Sequence, residues 1–297
     1  MRRILSRLVY VLPLAFFALP SVANAQDATC WYNWGVQFDK QGQYTQAIAN
    51  YNQALALCPD YSAAYNNRGY DYSELGNENQ AIADYNSAIA FDPNSSTAYN
   101  NRGFSYYTLG NYNQAIADYN QAIVLCPTYG AAYSNRGVAY DQEGDKDRAL
   151  ADYNQALAID PTIAAAYSNR GIIESSHGNF EQAKADFYRA ISADANYTTG
   201  YENLGFFLAT CPDPKYRDGK KAFDMISHAY QLAGGSDAFY IANAFAAAYA
   251  ECGDFTAARQ WQEKTIQLAP AEDKQMETTR LALYETNKPY RSQLSKQ

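Results

Sequence analysis

The sequence is poor in the side chains that most often hold metals or carry acid–base chemistry. It contains two histidines and three methionines in 297 residues. Basic residues are outnumbered, with 23 Lys and Arg against 31 Asp and Glu, and the formal net charge is −8. A nucleic-acid-binding surface needs a basic patch, and an anionic membrane surface attracts the same kind of patch. The composition therefore argues against both kinds of partner.

Long apolar runs are also missing beyond the N-terminus. There, three arginines within the first seven residues precede an apolar run at 8–19, and residues 23–25 read Ala-Asn-Ala. This order is typical of a secretory signal peptide. Twelve apolar residues are too few to cross a hydrocarbon core of about 30 Å. We expect cleavage after Ala25 and export to the periplasm or the medium, with no transmembrane segment in the mature chain.

Catalytic motifs are absent from the sequence. It has no glycine-rich phosphate loop, no zinc-binding pair of histidines and no Gly-x-Ser-x-Gly turn. His177 falls next to the glycine of a turn and His228 falls within an amphipathic helix pattern, so we interpret both as structural or surface residues. The sequence predicts a protein that is not an enzyme and that uses no cofactor and no metal.

A period of 34 residues organises most of the chain. Glycine recurs at this step six times, at Gly35, Gly69, Gly103, Gly137, Gly171 and Gly205. With each unit numbered 1–34 from residue 28, aromatic residues fall at positions 4 and 24, glycine at 8 and 15, alanine at 20 and 27, and proline at 32. Positions 4, 8 and 11 share one helix face, as do positions 20, 24 and 27. Glycine at position 15 and proline at position 32 end the two helices.

These columns resemble the tetratricopeptide repeat over residues 28–270. The resemblance implies an all-α, right-handed α-α solenoid of about seven helix-turn-helix hairpins. Five regular units are expected at 28–197 and two variant units at 198–270, with an insertion at about 211–219. A polar capping helix and a tail are expected at 271–297. The net charge supports a boundary near 197, because it is −10 over residues 26–197 and −1 beyond them.

Arginine and aspartate recur together in the four middle units. Position 7 is Arg68, Arg102, Arg136 and Arg170, and position 23 is Asp84, Asp118, Asp152 and Asp186. Both are missing from the first and sixth units. This joint pattern favours an ion pair across the two helices of each unit, since the guanidinium group matches a carboxylate. The alternative is a row of arginines that binds anions.

Asparagine fills position 6 in six consecutive units: Asn33, Asn67, Asn101, Asn135, Asn169 and Asn203. Position 9, on the same helix stripe, is apolar in the same units and includes Tyr70, Phe104 and Phe206. An asparagine side chain can pair with both polar groups of a peptide backbone. The column resembles the asparagine ladder of O-GlcNAc transferase, and the family resemblance implies that this stripe lines a concave, peptide-binding groove. The alternative is a structural spine in which the asparagines join neighbouring repeats.

Five cysteines lie beyond the expected signal peptide, and export would permit disulfides. In an antiparallel hairpin the start of the first helix lies near the end of the second, so Cys30 and Cys58 are one candidate pair. Cys211 and Cys252 occupy position 14 of neighbouring units and are a second. Cys126 is too many repeats away from Cys58 to reach it, and we expect it to be a buried free thiol.

The sequence thus leads to an exported protein-interaction scaffold that binds an extended peptide or protein segment in its groove. The alternative is a structural component of an envelope complex, such as an accessory subunit of a polysaccharide or secretion machine, that assembles through its ends or convex face. Position 2 of the first six units is Thr or Ala. A carboxylate clamp like that of heat-shock co-chaperones needs cations in this groove, so acidic chain termini are not expected as ligands. The partner and the oligomeric state stay open.

Overall fold

The computed structural model describes residues 22–236 and 238–294. Within them it contains fifteen α-helices, one short 3₁₀-helix at Pro214–Tyr216 and no strand. The α-helices, numbered in chain order, are α1 (Val22–Asp39), α2 (Tyr44–Leu57), α3 (Ser62–Glu74), α4 (Glu78–Phe91), α5 (Ser96–Thr108), α6 (Tyr112–Leu125), α7 (Gly130–Gln142), α8 (Lys146–Ile159), α9 (Ala164–Ser176), α10 (Phe180–Ala193), α11 (Thr198–Thr210), α12 (Gly219–Leu232), α13 (Phe239–Glu251), α14 (Phe255–Leu268) and α15 (Lys274–Glu285). The signal-peptide prediction falls mainly on residues 1–21, outside the described part.

The chain divides into two compact units, residues 1–94 and 95–297. The described part of the first unit holds the hairpins α1–α2 and α3–α4. The second unit holds five hairpins, from α5–α6 to α13–α14, followed by α15. Within each unit the second helix of one hairpin packs against the first helix of the next. The predicted all-helical repeat fold is confirmed, whereas the predicted boundary near residue 197 stays a prediction.

In six of the seven described hairpins the two helices approach closely because the first of them carries a glycine at the contact. A Cβ atom added at Gly137 would lie 2.8 Å from the Tyr153 ring of the partner helix. Tyr153 is fully buried there, and the same contact recurs between Gly69 and Tyr85. The turn between the helices needs a second glycine, because Gly144 has φ of +83°, which is unfavourable for residues with a Cβ.

A bidentate ion pair also joins the helices of the middle hairpins. The Arg136 guanidinium donates from Nε and Nη2 to the Asp152 carboxylate at 2.8 and 2.7 Å. Its Nη1 donates to Asn120 Oδ1 of the preceding hairpin at 2.5 Å. One arginine therefore fixes both its own hairpin and the neighbouring one. The other three pairs, likewise bidentate, are Arg68–Asp84, Arg102–Asp118 and Arg170–Asp186.

The last helix carries two buried polar side chains that its sequence did not indicate. Glu277 is fully buried on α15 and accepts a hydrogen bond from Gln262 Nε2 of α14 at 2.8 Å. Arg280, also buried, donates to both Glu277 and Asn243. Polar groups can be buried when they pair with each other. Lys274 and Thr278 on the same helix are exposed, so α15 has a solvated side as well as this buried pair, and the capping helix at 271–297 stays a prediction.

All five cysteines are free thiols. Cys58 is half-buried, and its Sγ donates to Asp60 Oδ1 at 3.0 Å; this hydrogen bond raises the pKa of the thiol. Cys30 and Cys252 are exposed, while Cys211 is buried. The two disulfide pairings stay predictions. Cys126 was expected to be buried but is only half-buried, because it ends α6 rather than packing inside it.

The ion pairs lead to a stability prediction. We expect Asp152→Asn to lower the free energy of unfolding by about 2–3 kcal/mol, because it leaves the largely buried Arg136 guanidinium without its carboxylate. Asp145→Asn is the matched control. Asp145 pairs with Arg148 in an exposed position, and asparagine also caps helices well, so the loss of stability should be much smaller than for Asp152→Asn. Chemical denaturation measures both, and equal effects would contradict the structural role of the buried pair.

Candidate functional site

Apolar side chains form a row on the surface of the second unit. They occupy position 9 of four consecutive hairpins, on the first helix of each, and we call Phe104, Val138, Ile172 and Phe206 the apolar row. Phe104 and Ile172 are 48% and 45% exposed, although both are large and hydrophobic. In the first unit, Tyr70 at the same position is exposed as well. Val138 and Phe206 are partly buried against the core, so Phe104 and Ile172 are the members of the row that are most available to a partner.

The asparagines beside the row use their amides within the protein. Asn135 Nδ2 donates to Asn100 Oδ1 at 3.0 Å, and Asn203 Nδ2 donates to Ser168 Oγ at 2.8 Å. In the first unit, Asn67 Nδ2 donates to Tyr32 Oη at 3.1 Å. Each acceptor belongs to position 5 of the preceding repeat, 35 residues earlier. These bonds join neighbouring repeats. For the side-chain NH₂ groups of these three asparagines, the geometry therefore favours the structural spine over peptide binding.

Some of the side-chain carbonyl oxygens of the position 6 asparagines also accept hydrogen bonds within the protein. Asn67 Oδ1 accepts from Asn66 Nδ2 at 3.2 Å, and Asn101 Oδ1 accepts from Asn100 Nδ2 at 3.3 Å. Asn169 lies against the hydroxyl of the buried Tyr153. Asn33, in the first hairpin, is exposed. The sequence could not reveal these hydrogen bonds between repeats, because the acceptor position, position 5, varies among Tyr, Asn, Ser and Glu. Tyr, Asn and Ser each offer an acceptor oxygen, but they share no sequence pattern.

Two cavities flank Phe206 at the end of the apolar row. One has a volume of about 400 Å³ and is lined by Phe206, Ile172, Tyr240 and Met276 with polar groups between them. Glu202 also lines it, and burial raises the pKa of this carboxyl group. The other cavity, of about 190 Å³, lies between Phe206 and the chain segment that contains Ser292. Both combine apolar walls with a few polar groups, as binding sites for organic ligands and side chains do.

A buried acid in the first unit was not anticipated from the sequence. Asp71 on α3 is fully buried, and neither of its carboxyl oxygens has a hydrogen-bond partner of good geometry. Burial and the nearby carboxylates of Asp39 and Glu74 raise its pKa to about 8. Lys40 lies near Asp39, and Tyr44 donates to Glu74 Oε2 at 3.3 Å. The signal in the sequence is an aspartate at position 10, where the other repeats carry uncharged residues.

The described residues contain no group of three or more His, Cys, Asp or Glu arranged to hold a metal ion. Among the helices of this same part of the chain, none combines the length and apolar character needed to cross a bilayer. The chemistry at the apolar row and its cavities is therefore that of apolar surface, amides, hydroxyls, a few carboxylates and the guanidinium group of Arg280.

Family models for the tetratricopeptide repeat match most of the helical region. One described as "Tetratricopeptide repeat" matches residues 96–129 and 130–163, and one described as "TPR repeat" matches 35–76 and 69–110. Two further "Tetratricopeptide repeat" models match residues 164–197 and 240–269. No curated protein sequence matches the chain.

Solved structures show the same fold. A tetratricopeptide repeat protein from Parabacteroides merdae ATCC 43184 is 19% identical with a TM-score of 0.61, and the match covers 88% of this chain and 99% of that one. A thermophilic TPR protein from Thermus thermophilus is 23% identical with a TM-score of 0.52, over 58% and 94% of the two chains. MamA from Desulfovibrio magneticus RS-1 is 16% identical with a TM-score of 0.50, over 58% and 97%.

The asparagine contacts lead to a prediction about stability. We expect Asn135→Ala to lower the free energy of unfolding by about 1 kcal/mol, because it leaves the buried Asn100 carbonyl unpaired. For a chain of this size the melting temperature should fall by about 3 °C. Asn33→Ala is the control, since Asn33 is exposed in the first hairpin. If both variants have the melting temperature of wild type, the position 6 asparagines do not stabilise the packing between repeats.

The buried acid leads to a prediction about pH. Because the pKa of Asp71 is raised to about 8 from an ordinary value near 4, the folded state keeps a proton that the unfolded state releases. The stability that wild type has while Asp71 is protonated in both states is present at low pH. It is lost as the pH rises toward 8, because the unfolded state releases the proton first. We expect Asp71→Asn to gain on the order of 4 kcal/mol relative to wild type between pH 5 and pH 8.5, at about 1.36 kcal/mol per pH unit up to the raised pKa. If the melting temperatures of wild type and Asp71→Asn change in parallel with pH, the raised pKa of Asp71 is contradicted.

Proposed function

Because this chain belongs to the tetratricopeptide repeat family, whose proteins generally act as scaffolds for other proteins, we propose that it binds an extended segment of a partner protein along the apolar row. The observation that carries the proposal is the exposure of Phe104 and Ile172 at equivalent positions of the second unit. Large apolar side chains that repeat on a surface mark an interaction site. No catalytic role is proposed.

The asparagine column supports this row from beside it. Its amides bond the preceding repeat, as Asn135 does with Asn100, and so help to fix the spacing between successive position 9 side chains. An extended peptide advances by about 3.3 Å per residue with side chains alternating between its two faces. We infer that every second side chain of the partner contacts the apolar row, while the protein's remaining polar groups contact the peptide backbone.

The charge of the repeats indicates which segments suit the site. Residues 26–197 carry a net charge of −10, and the threonines and alanines of position 2 supply no cation. Like charges disfavour association and opposite charges speed it. A neutral or basic partner segment with apolar residues fits this surface better than an acidic one.

A photo-crosslinking experiment tests the proposed site. We expect a benzoylphenylalanine at position 104 to give discrete adducts with a partner in the native cell fraction. The matched control replaces Val124, which is 71% exposed on the second helix of the same hairpin, and should give none. Adducts from position 124 and none from position 104 would instead support assembly through the opposite face, and would overturn the groove proposal.

The compartment is part of the proposal. We infer that the protein is exported and that residues 1–25 are removed, on the strength of the N-terminal arginines, the apolar run and the Ala-Asn-Ala sequence before Gln26. N-terminal sequencing of the protein from the envelope or the medium should begin near Gln26. A chain that starts at Met1 in that fraction would contradict cleavage.

A further inference from the structure

The segment after α15 is not the free tail that its sequence suggests. Helix α15 ends at Glu285, and Asn287 follows with φ of +55°, the one positive φ of a non-glycine residue in the described chain. Lys288 N donates to Leu283 O at 2.9 Å, which closes the helix end. Asparagine tolerates this conformation, and a proline two residues later prevents further helix. The sequence Thr-Asn-Lys-Pro therefore turns the chain back, and residues 289–294 run over the second unit.

The returning segment places an aromatic ring beside the end of the apolar row. The Tyr290 ring lies 4.4 Å from the guanidinium carbon of Arg280, and the Phe206 ring lies 5.6 Å from the same carbon. The ring centroids of Tyr290 and Phe206 are 6.4 Å apart. A cation that contacts two aromatic rings is a favourable arrangement. Phe206 is thus the point where the segment contacts the apolar row.

The next two residues bind groups at the C-terminal end of α11. Arg291 Nη1 donates to the Ala209 carbonyl at 3.2 Å, and the Ser292 amide donates to the Thr210 carbonyl at 2.9 Å. The last carbonyls of a helix have no partner within it and attract positive charge. The Ser292 hydroxyl also lies 2.8 Å from that of Thr210.

A carboxylate completes this site. Glu251 Oε2 lies 2.6 Å from Arg291 Nη2, and its other oxygen accepts from Arg217 Nε at 3.0 Å. Arg217 also donates to the carbonyls of Cys211 and Pro212. The body of the protein therefore satisfies two of the four carbonyls at residues 209–212, and the segment satisfies the other two.

The contacts that hold the segment come from three neighbouring residues. Tyr290 supplies the aromatic contact, Arg291 the ion pair and a hydrogen bond, and Ser292 the backbone hydrogen bond. Beyond them, Gln293 is exposed, and Leu294 is 51% exposed beside Gly178. The receiving groups recognise an extended backbone, an aromatic ring and an arginine, which are features that a separate protein segment can supply equally well.

We propose that residues 289–294 are a built-in ligand of this end of the groove, and that they compete with an external protein segment in which an aromatic residue is directly followed by arginine. The inference rests on the proposed function, because it assigns the partner's sequence class at the Phe206 end of the apolar row. When the segment leaves, the carbonyls of Ala209 and Thr210 and the Glu251 carboxylate become available for the same donors on the partner.

Fluorescence anisotropy with a labelled synthetic peptide of residues 286–297 tests the proposal. In the purified full chain, Arg291→Ala weakens the built-in segment and leaves the receiving groups intact. If the segment occupies the site about nine-tenths of the time, the apparent Kd of the peptide should fall by about tenfold in this variant. Lys288→Ala is the matched control, since Lys288 is a basic and exposed residue of the same segment, and its Kd should equal that of wild type.

Two further variants make the result specific. Ser292→Pro removes the amide donor from the built-in segment without touching the helices, and should strengthen peptide binding as Arg291→Ala does. A peptide that itself carries Arg291→Ala should lose most of its binding to every form of the chain. Circular dichroism checks that the variants keep their fold.

Equal peptide affinity for wild type, Arg291→Ala and Ser292→Pro would overturn the competition, as would the absence of peptide binding to either opened variant. Neither result bears on the adducts expected from position 104, about three repeats from Phe206. Failure of the built-in ligand and failure of the proposed function are therefore distinguishable.

Discussion

The structure depends on the close approach of two helices at a glycine, a contact that six of the seven described hairpins make. At Gly137 the backbone of α7 lies so near the Tyr153 ring that a Cβ atom would meet it at 2.8 Å. This contact buries the aromatic ring inside the hairpin, and the Arg136–Asp152 pair fixes the same two helices at their edge. A hairpin held in this way still has an uncovered apolar face, so it must stack on a neighbour. The row at position 9 is regular because this contact is repeated.

Stacking then determines what the polar residues can do. The third donor of Arg136 reaches Asn120, and Asn135 reaches Asn100, both in the preceding repeat. Neither asparagine could serve the repeat interface if the hairpins were not held at constant spacing. The same regularity places position 9 at the edge of the packed core, where Phe104 and Ile172 stay exposed while Val138 and Phe206 are partly covered. Position 6 and position 9 of the same helix therefore have different roles. The position 6 amides bind the preceding repeat and stabilise the protein, whereas the position 9 apolar side chains lie toward the surface and are proposed to bind a partner.

The parts of the structure that repeat were predictable from the sequence, and the parts that occur once were not. The period indicated the hairpins, and the joint absence of Arg and Asp from the same units indicated their pairing. The use of the Asn135 amide was open, because its partner depends on the distance between repeats, which no single unit encodes. Asp71 and the buried Glu277 each occur in one repeat only. Their burial depends on tertiary contacts that a local pattern cannot report.

In the C-terminal part of the second unit, as elsewhere, the polar groups at helix ends need partners, but here these partners do not come from a regular neighbouring hairpin. Inside the stack, each hairpin covers the polar and apolar groups of its neighbour. Helix α11 instead ends at Thr210 and is followed by an irregular segment that begins at Cys211–Pro212, so the carbonyls at this helix end need donors from elsewhere. Arg217 supplies donors to two of them and the returning segment supplies the others. A segment held by a single turn at Asn287 can satisfy these groups and can also leave them. The irregularity that interrupts the repeats therefore creates a place where the protein binds its own chain by the contacts it would make with another.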